Sequence, residues 1–144
     1  MKKNYQYYRD RVDKGERFED PEILALSDRV WWTIAHVQAG KGWTTENPEI
    51  LKLSTKKGNT VAHIQVCDGW TTEDPEILKL ANKNWWTVAH RQAYGDWTTE
   101  NTEILKLADV DGYTVASIQI EKGWKPKTKE SKTFIFILGL EGKL

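Results

Sequence analysis

The sequence predicts an all-α fold, a helical solenoid of four helix-pair repeats with terminal caps. Three observations predict it. WTTENPEILKL from Trp43, WTTEDPEILKL from Trp70 and WTTENTEILKL from Trp97 recur at a step of 27 residues, which Trp124 continues and ERFEDPEILAL from Glu16 anticipates. A second block keeps the same step: TIAHVQA from Thr33, TVAHIQV from Thr60, TVAHRQA from Thr87 and TVASIQI from Thr114. Both blocks carry helix start signals, yet each helix is too short to stand alone, so neighbouring copies must share a core.

In chain order, residues 1–15 are a capping half-repeat. QYYRDRVDKG aligns one step upstream of the first inner helix, with Tyr7, Tyr8 and Val12 at apolar positions and charge on the remaining face. The repeats occupy residues 16–123. In each, an outer helix begins at Asp20, Asn47, Asp74 or Asn101, residues whose side chains accept a backbone N–H. Pro21, Pro48 and Pro75 follow at the first helical position, where the missing N–H costs nothing. Glu22, Glu49, Glu76 and Glu103 then meet the positive end of the helix dipole. Ile77, Leu78, Leu80 and Ala81, with their counterparts, make one apolar helical face. The inner helix starts at the threonine of TVAH, buries Val88 and Ala89 or their equivalents, and stops near Gly42, Gly69, Asp96 or Gly123. Residues 124–144 break the period and form a divergent C-terminal cap or tail. There KPKTKESK reads as a solvated loop. TFIFILGL would be an aggregation hazard if left exposed, so it is expected to be buried, by capping the last repeat or by pairing with another chain in a dimer.

Composition excludes several functions. Lysine plus arginine equals aspartate plus glutamate at 21 each, so no general attraction to nucleic acid or to an anionic membrane is expected. The longest apolar run, FIFIL, falls far short of the roughly 20 residues of a spanning helix. The N-terminal residues lack the apolar stretch of a secretion signal, so a cytoplasmic protein is expected. Cys67 is the single cysteine, which rules out an intrachain disulfide and a multi-cysteine metal site. The chain contains no HExxH, no phosphate-cradling GxxxxGK[ST] and no GxSxG. Neither catalysis nor a cofactor is expected.

At TVAH the chain resembles the ankyrin repeat. DGYTVAS (Asp111 to Ser117) and KGNTVAH (Lys57 to His63) are similar to that family's DGxTPLHxAA motif, and PEILKLA (Pro75 to Ala81) to its EIVKLLL-type second helix. The departures are valine or Ile34 for the proline, alanine for the leucine, and Gln38, Gln65, Gln92 and Gln119 at an alanine position. The period is also shorter than the usual ~33 residues. The chain looks like a shortened ankyrin-like repeat protein of bacterial or phage type. The resemblance implies a module that binds other proteins and carries no catalytic residues. It implies as well that Trp32, Asn59, Trp86 and Tyr113, each just before the threonine, are exposed finger tips, and that each histidine hydrogen-bonds backbone near its own threonine and in the neighbouring repeat.

The copies are four solutions to one scaffold problem, so differences between them mark positions free to specialise. Trp43, Trp70, Trp97 and Trp124 recur in register and are expected in the core. The pair Trp31–Trp32 becomes Gly58–Asn59, Trp85–Trp86 and Gly112–Tyr113. From each tryptophan pair, Trp32 and Trp86 are expected to face outward, while Trp31 and Trp85 fold back on the turn. On the inner helix, Val37, Ile64, Arg91 and Ile118 form one variable series, and Gly40, Cys67, Tyr94 and Glu121 another. The expected partner-binding strip is therefore Trp32, Asn59, Trp86, Tyr113, Val37, Ile64, Arg91 and Tyr94, aromatic and arginine-bearing as binding hot spots are. Its occupant would be a partner protein, which the chain would inhibit or recruit as an adaptor. A rival reading is a small-molecule or glycan binder that stacks its ligand on Trp32, Trp86 and Tyr113.

Other recurring polar residues read as scaffold. His36, His63 and His90 would stand roughly 10 Å apart on packed helices, against a zinc–nitrogen bond of about 2 Å, so no metal is expected. The glutamines are expected to form an amide ladder along the inner helices. Glu46, Glu73 and Glu100 are expected to serve helix-start electrostatics.

Overall fold

The computed structural model describes residues 3–144; Met1 and Lys2, at the start of the 1–15 cap, lie outside the described residues. The fold is all-α. Helices and isolated bridges are the only regular structure among the described residues. They form two compact units that part between Thr71 and Thr72.

In the first unit, α1 (Tyr5–Asp13), α2 (Pro21–Leu24), α3 (Ile34–Gly40), α4 (Pro48–Leu51) and α5 (Val61–Cys67) follow one another. α3 lies against both α1 and α5. Asn4 starts α1 by accepting the Tyr7 N–H at 3.1 Å. Val12 is buried completely, and the Tyr8 ring meets Phe18 edge-on at 5.1 Å. The outer face of α1 carries Arg11 paired with Glu16 and Asp13 paired with Lys41.

The second unit holds α6 (Pro75–Leu78), α7 (Val88–Tyr94), α8 (Thr102–Leu105), α9 (Val115–Glu121) and α10 (Lys129–Ile137), and then a 3₁₀ turn over Glu141–Lys143. α7 packs on α9, and α10 on α8. TFIFILGL thus covers the last repeat from within its own unit. Ile135 joins Leu105, Ala116, Ile120 and Trp124 in one cluster, with Phe134, Leu138 and Leu140 against it. The expectation that the whole run is buried fails at Phe136 and Ile137, which are 66% and 71% exposed. A helix turns consecutive apolar residues to opposite sides, so only one face of the run can reach the core.

Each repeat is assembled by local capping. Asp20, Asn47, Asp74 and Asn101 accept the N–H two residues on, starting the outer helices. These are single turns, shorter than the apolar face through Leu80 and Ala81 implies. The next backbone groups are engaged elsewhere: Val88 donates to Leu80 O at 3.0 Å, and Ala81 bridges Thr87. The inner helices open at Thr33, Thr60, Thr87 and Thr114, whose hydroxyls accept the N–H three residues on.

Three long-range features differ from the sequence reading. The glutamines form no amide ladder. Instead, each carboxamide clamps one backbone residue lying 20 positions upstream: Gln38 on Phe18, Gln65 on Thr45, Gln92 on Thr72 and Gln119 on Thr99. The amide Oε1 accepts that residue's N–H and Nε2 donates to its C=O, so an irregular segment is satisfied as a strand partner would satisfy it. Glu46 and Glu73 accept the indole N–H of Trp70 and Trp97 at 2.8 Å rather than serving a helix start, and Glu100 accepts the Lys127 backbone N–H. Finally, Trp43, Trp70 and Trp97 are only half-buried; of the four in register, Trp124 alone is in the core. For Trp70 and Trp97 the cause is the indole N–H, which finds its carboxylate at the wet rim.

Candidate functional site

The fingers between outer and inner helix are hairpin turns. In the first, Trp31 N–H donates to Asp28 O, and Asp28 N–H to Trp32 O, both at 3.1 Å. The Asp28 carboxylate accepts the N–H groups of Val30 and Trp32, both at 3.0 Å, which closes the turn from inside. Asn82 and Asp109 repeat this arrangement in the second unit, and the Thr55 hydroxyl takes the Asn59 N–H in the second copy. Within each unit one backbone bond ties finger to finger: Lys56 N–H to Val30 O at 3.1 Å, and Val110 N–H to Asn84 O at 2.9 Å.

This turn needs a left-handed residue at its third position. Gly58 and Gly112 supply it with φ of 84° and 87°, where a missing Cβ makes the conformation free. Trp31 and Trp85 occupy the same position at φ of 64° and 58°, a conformation that is a genuine outlier for a bulky residue. Their side chains are 55% and 63% exposed. That reverses the expected roles within each pair, because the residue replacing the glycine is the wet one. Trp32 and Trp86 are half-buried. The Trp32 ring lies 5.1 Å from His36, and Trp86 lies 4.9 Å from His90 and 5.4 Å from Tyr94.

The histidines tie the finger to the inner helix. Thr33 Oγ1 and His36 Nδ1 are 2.7 Å apart, and the Thr33 N–H also donates to Nδ1. His36 Nε2 stands 3.0 Å from Asn59 O; a carbonyl only accepts, so Nε2 carries the proton and Nδ1 is the acceptor. His90 does the same with Thr87 and Tyr113 O, and His63 Nδ1 meets Thr60 Oγ1. Burial holds the His36 and His90 imidazoles below their ordinary range, opposed by the carbonyl each faces and by Asp28 and Asp109 respectively. Both nitrogens of His36 and His90 are thus committed to structural hydrogen bonds. Among the described residues no group of three acidic, histidine or cysteine side chains is placed to hold a metal ion.

The remaining candidates divide. Val37 is buried at 7% exposure and offers no contact surface; at this point of the helix the side chain turns into the core. Ile64 is half-buried and Arg91 exposed. Tyr94 and Tyr113 are exposed, with Lys122 Nζ 5.7 Å from the Tyr94 ring. Trp32 and Asn59 come together in a cleft of about 320 Å³ in the first unit, with Val30, Thr55, Lys56 and Lys57. Sequence reasoning assigned Trp31 and Trp85 to the turn interior rather than to water, and missed Val30 and the two lysines. A signal was present in the tryptophan–glycine exchange at position 31 and its equivalents, which marks a left-handed turn position.

No helix among the described residues is long and apolar enough to cross a membrane. Compared with known proteins, the chain matches no protein-family model, and no curated protein is similar to it in sequence.

Proposed function

We propose that this chain is a shortened ankyrin-like repeat protein that works in the cytoplasm as a non-catalytic protein-binding module, contacting its partner through finger tips and the adjoining inner-helix residues. The observation that carries the reading is the pair Trp31 and Trp85. Each holds a large apolar side chain in water on a backbone conformation that L-residues avoid at a cost of about 1–2 kcal/mol. Copies two and four build the same turn with glycine, so the scaffold does not require the indole. A costly, wet tryptophan at a turn that glycine satisfies is best accounted for by an intermolecular contact, where desolvated tryptophan is among the strongest anchors. Tyr94, Arg91 and Tyr113 add exposed surface of the same kind in the second unit.

The test uses the residue that the sister copies already carry. The double variant Trp31→Gly, Trp85→Gly should fold as the native chain does and capture no partner from a lysate of the source cells, while the native chain captures one. Equal capture by both proteins, or none by either, would refute the reading.

A further inference from the structure

We propose that the cleft between the first two fingers is a docking site for a short acidic peptide segment of a partner, one apolar side chain followed by carboxylates. This deepens the protein-binding reading and rests on it. The cleft has a volume of about 320 Å³, at the lower end of the size that holds small ligands and single side chains. Val30 and Trp32 give it an apolar wall on the first finger; Thr55, Lys56, Lys57 and Asn59 line the second. The Lys56–Val30 backbone bond fixes the two fingers relative to each other, so the cleft exists before any ligand arrives.

Charge complementarity selects the occupant. Lys56 and Lys57 are exposed and form no ion pair among the described residues, Lys56 lying 5.7 Å from the exposed Trp31 ring. The carboxylate of the first finger, Asp28, accepts two backbone N–H groups of its own turn. Two lysines without an ion pair, lining the same cleft as an indole and a valine, suit carboxylates beside an apolar side chain.

The polar groups that remain suit a peptide backbone. The Asn59 carboxamide and the Trp32 indole N–H make no hydrogen bond to the described residues, although Asn59's backbone N–H and C=O are both used. A carboxamide offers a donor and an acceptor side by side, which matches the N–H and C=O of one extended residue. This chain uses that pairing internally wherever a glutamine clamps a backbone, as Gln65 does with Thr45. Asn59 at the cleft presents the same pair of groups to an incoming strand, whereas a bare phosphate, an acceptor alone, would engage only the donor. At the corresponding places in the second unit the lysines are replaced by Val110 and Asp111, so an acidic segment is turned away there.

The probe is an amidated, glycine-flanked peptide carrying one phenylalanine followed by two glutamates, titrated into the full chain and followed by backbone amide NMR shifts. We expect saturable shifts at Lys56, Lys57 and Asn59, and weaker binding as salt rises. Exchanging the glutamates for lysines should abolish the shifts. The variant Lys56→Val, Lys57→Asp carries residues the fourth copy already tolerates, so it should melt as the native chain does while binding the probe on the order of ten-fold more weakly. Equal binding by variant and native chain, no shifts at these residues, or response instead to an oligothymidylate or to anionic phosphatidylserine vesicles would overturn the proposal. A partner captured by the native chain, lost with Trp31→Gly, Trp85→Gly and indifferent to Lys56→Val, Lys57→Asp would sink the acidic-peptide site alone and leave the broader protein-binding reading standing.

Discussion

Replacing Gln119 with alanine removes one complete backbone clamp together with the packing of a fully buried side chain. The side chain is fully buried, with Oε1 2.9 Å from Thr99 N and Nε2 3.2 Å from Thr99 O. Each lost bond costs about 1 kcal/mol net, and a buried group left unpaired adds about 1–3 kcal/mol. Thr99 is half-buried, so water reaches its freed N–H and C=O in part and the low end applies. The expected loss is about 2–4 kcal/mol, which lowers the midpoint of urea unfolding, read by far-ultraviolet circular dichroism, without changing its slope. A companion variant separates hydrogen bonding from volume. Gln119→Glu keeps the shape and the acceptor, but its ionised form brings a buried carboxylate against the Thr99 carbonyl. Burial raises the carboxyl's pKa in the fold, so the protonated form, which again offers donor and acceptor, is favoured there. Its stability relative to the native chain should therefore be lowest at pH 7 and recover as pH falls towards 4.5. A loss under about 1 kcal/mol for Gln119→Ala, or a pH-independent deficit for Gln119→Glu, would refute the clamp as a stabilising device.

Other perturbations read the remaining devices. The His36 and His90 imidazoles are held neutral by burial, their folded pKa lying below the unfolded value. Their contribution is thus intact above about pH 6.5 and is lost as pH falls below it, by up to about 1.4 kcal/mol per pH unit for each. Melting temperatures at pH 7.5 and 5.0 should show the drop, and His36→Ser with His90→Ser, which repeats the serine found at position 117 of the fourth copy, should flatten it. Trp124→Ala, at a buried position, should cost about 3–5 kcal/mol in urea unfolding, and Trp70→Ala less, because its indole is partly exposed at the rim. Thr87→Val deletes a cap that accepts the His90 N–H and should cost about 1–2 kcal/mol in the same assay. For Trp31→Gly the relief of backbone strain opposes the loss of a half-wet side chain, so its melting temperature should move little.

What the sequence determines by itself is the part of the fold written in nearest neighbours. Helix starts at Asp20, Asn47, Thr33 or Thr60 depend on a side chain reaching backbone two or three residues away, and a 27-residue step announces that the same unit is built again. The histidine links were legible for a different reason: the TVAH motif resembles a known repeat, and that resemblance implied a bond near the histidine's own threonine and one to the neighbouring repeat, while the carbonyls of Asn59 and Tyr113 as the far partners emerged only from the structure. Contacts across larger separations were not legible. Gln119 finds Thr99 twenty residues upstream, and Glu46 finds Trp70, only once the chain has folded back on itself. The length of the outer helix was also decided tertiarily, since Leu80 and Ala81 surrender their backbone groups to the start of the next helix. The same holds for the tryptophan pairs. Their place between the two repeated blocks puts Trp31 and Trp32 in one turn, but which of them is wet depends on the sign of a single φ, and a left-handed Trp31 sends adjacent side chains to environments that no hydrophobicity pattern distinguishes.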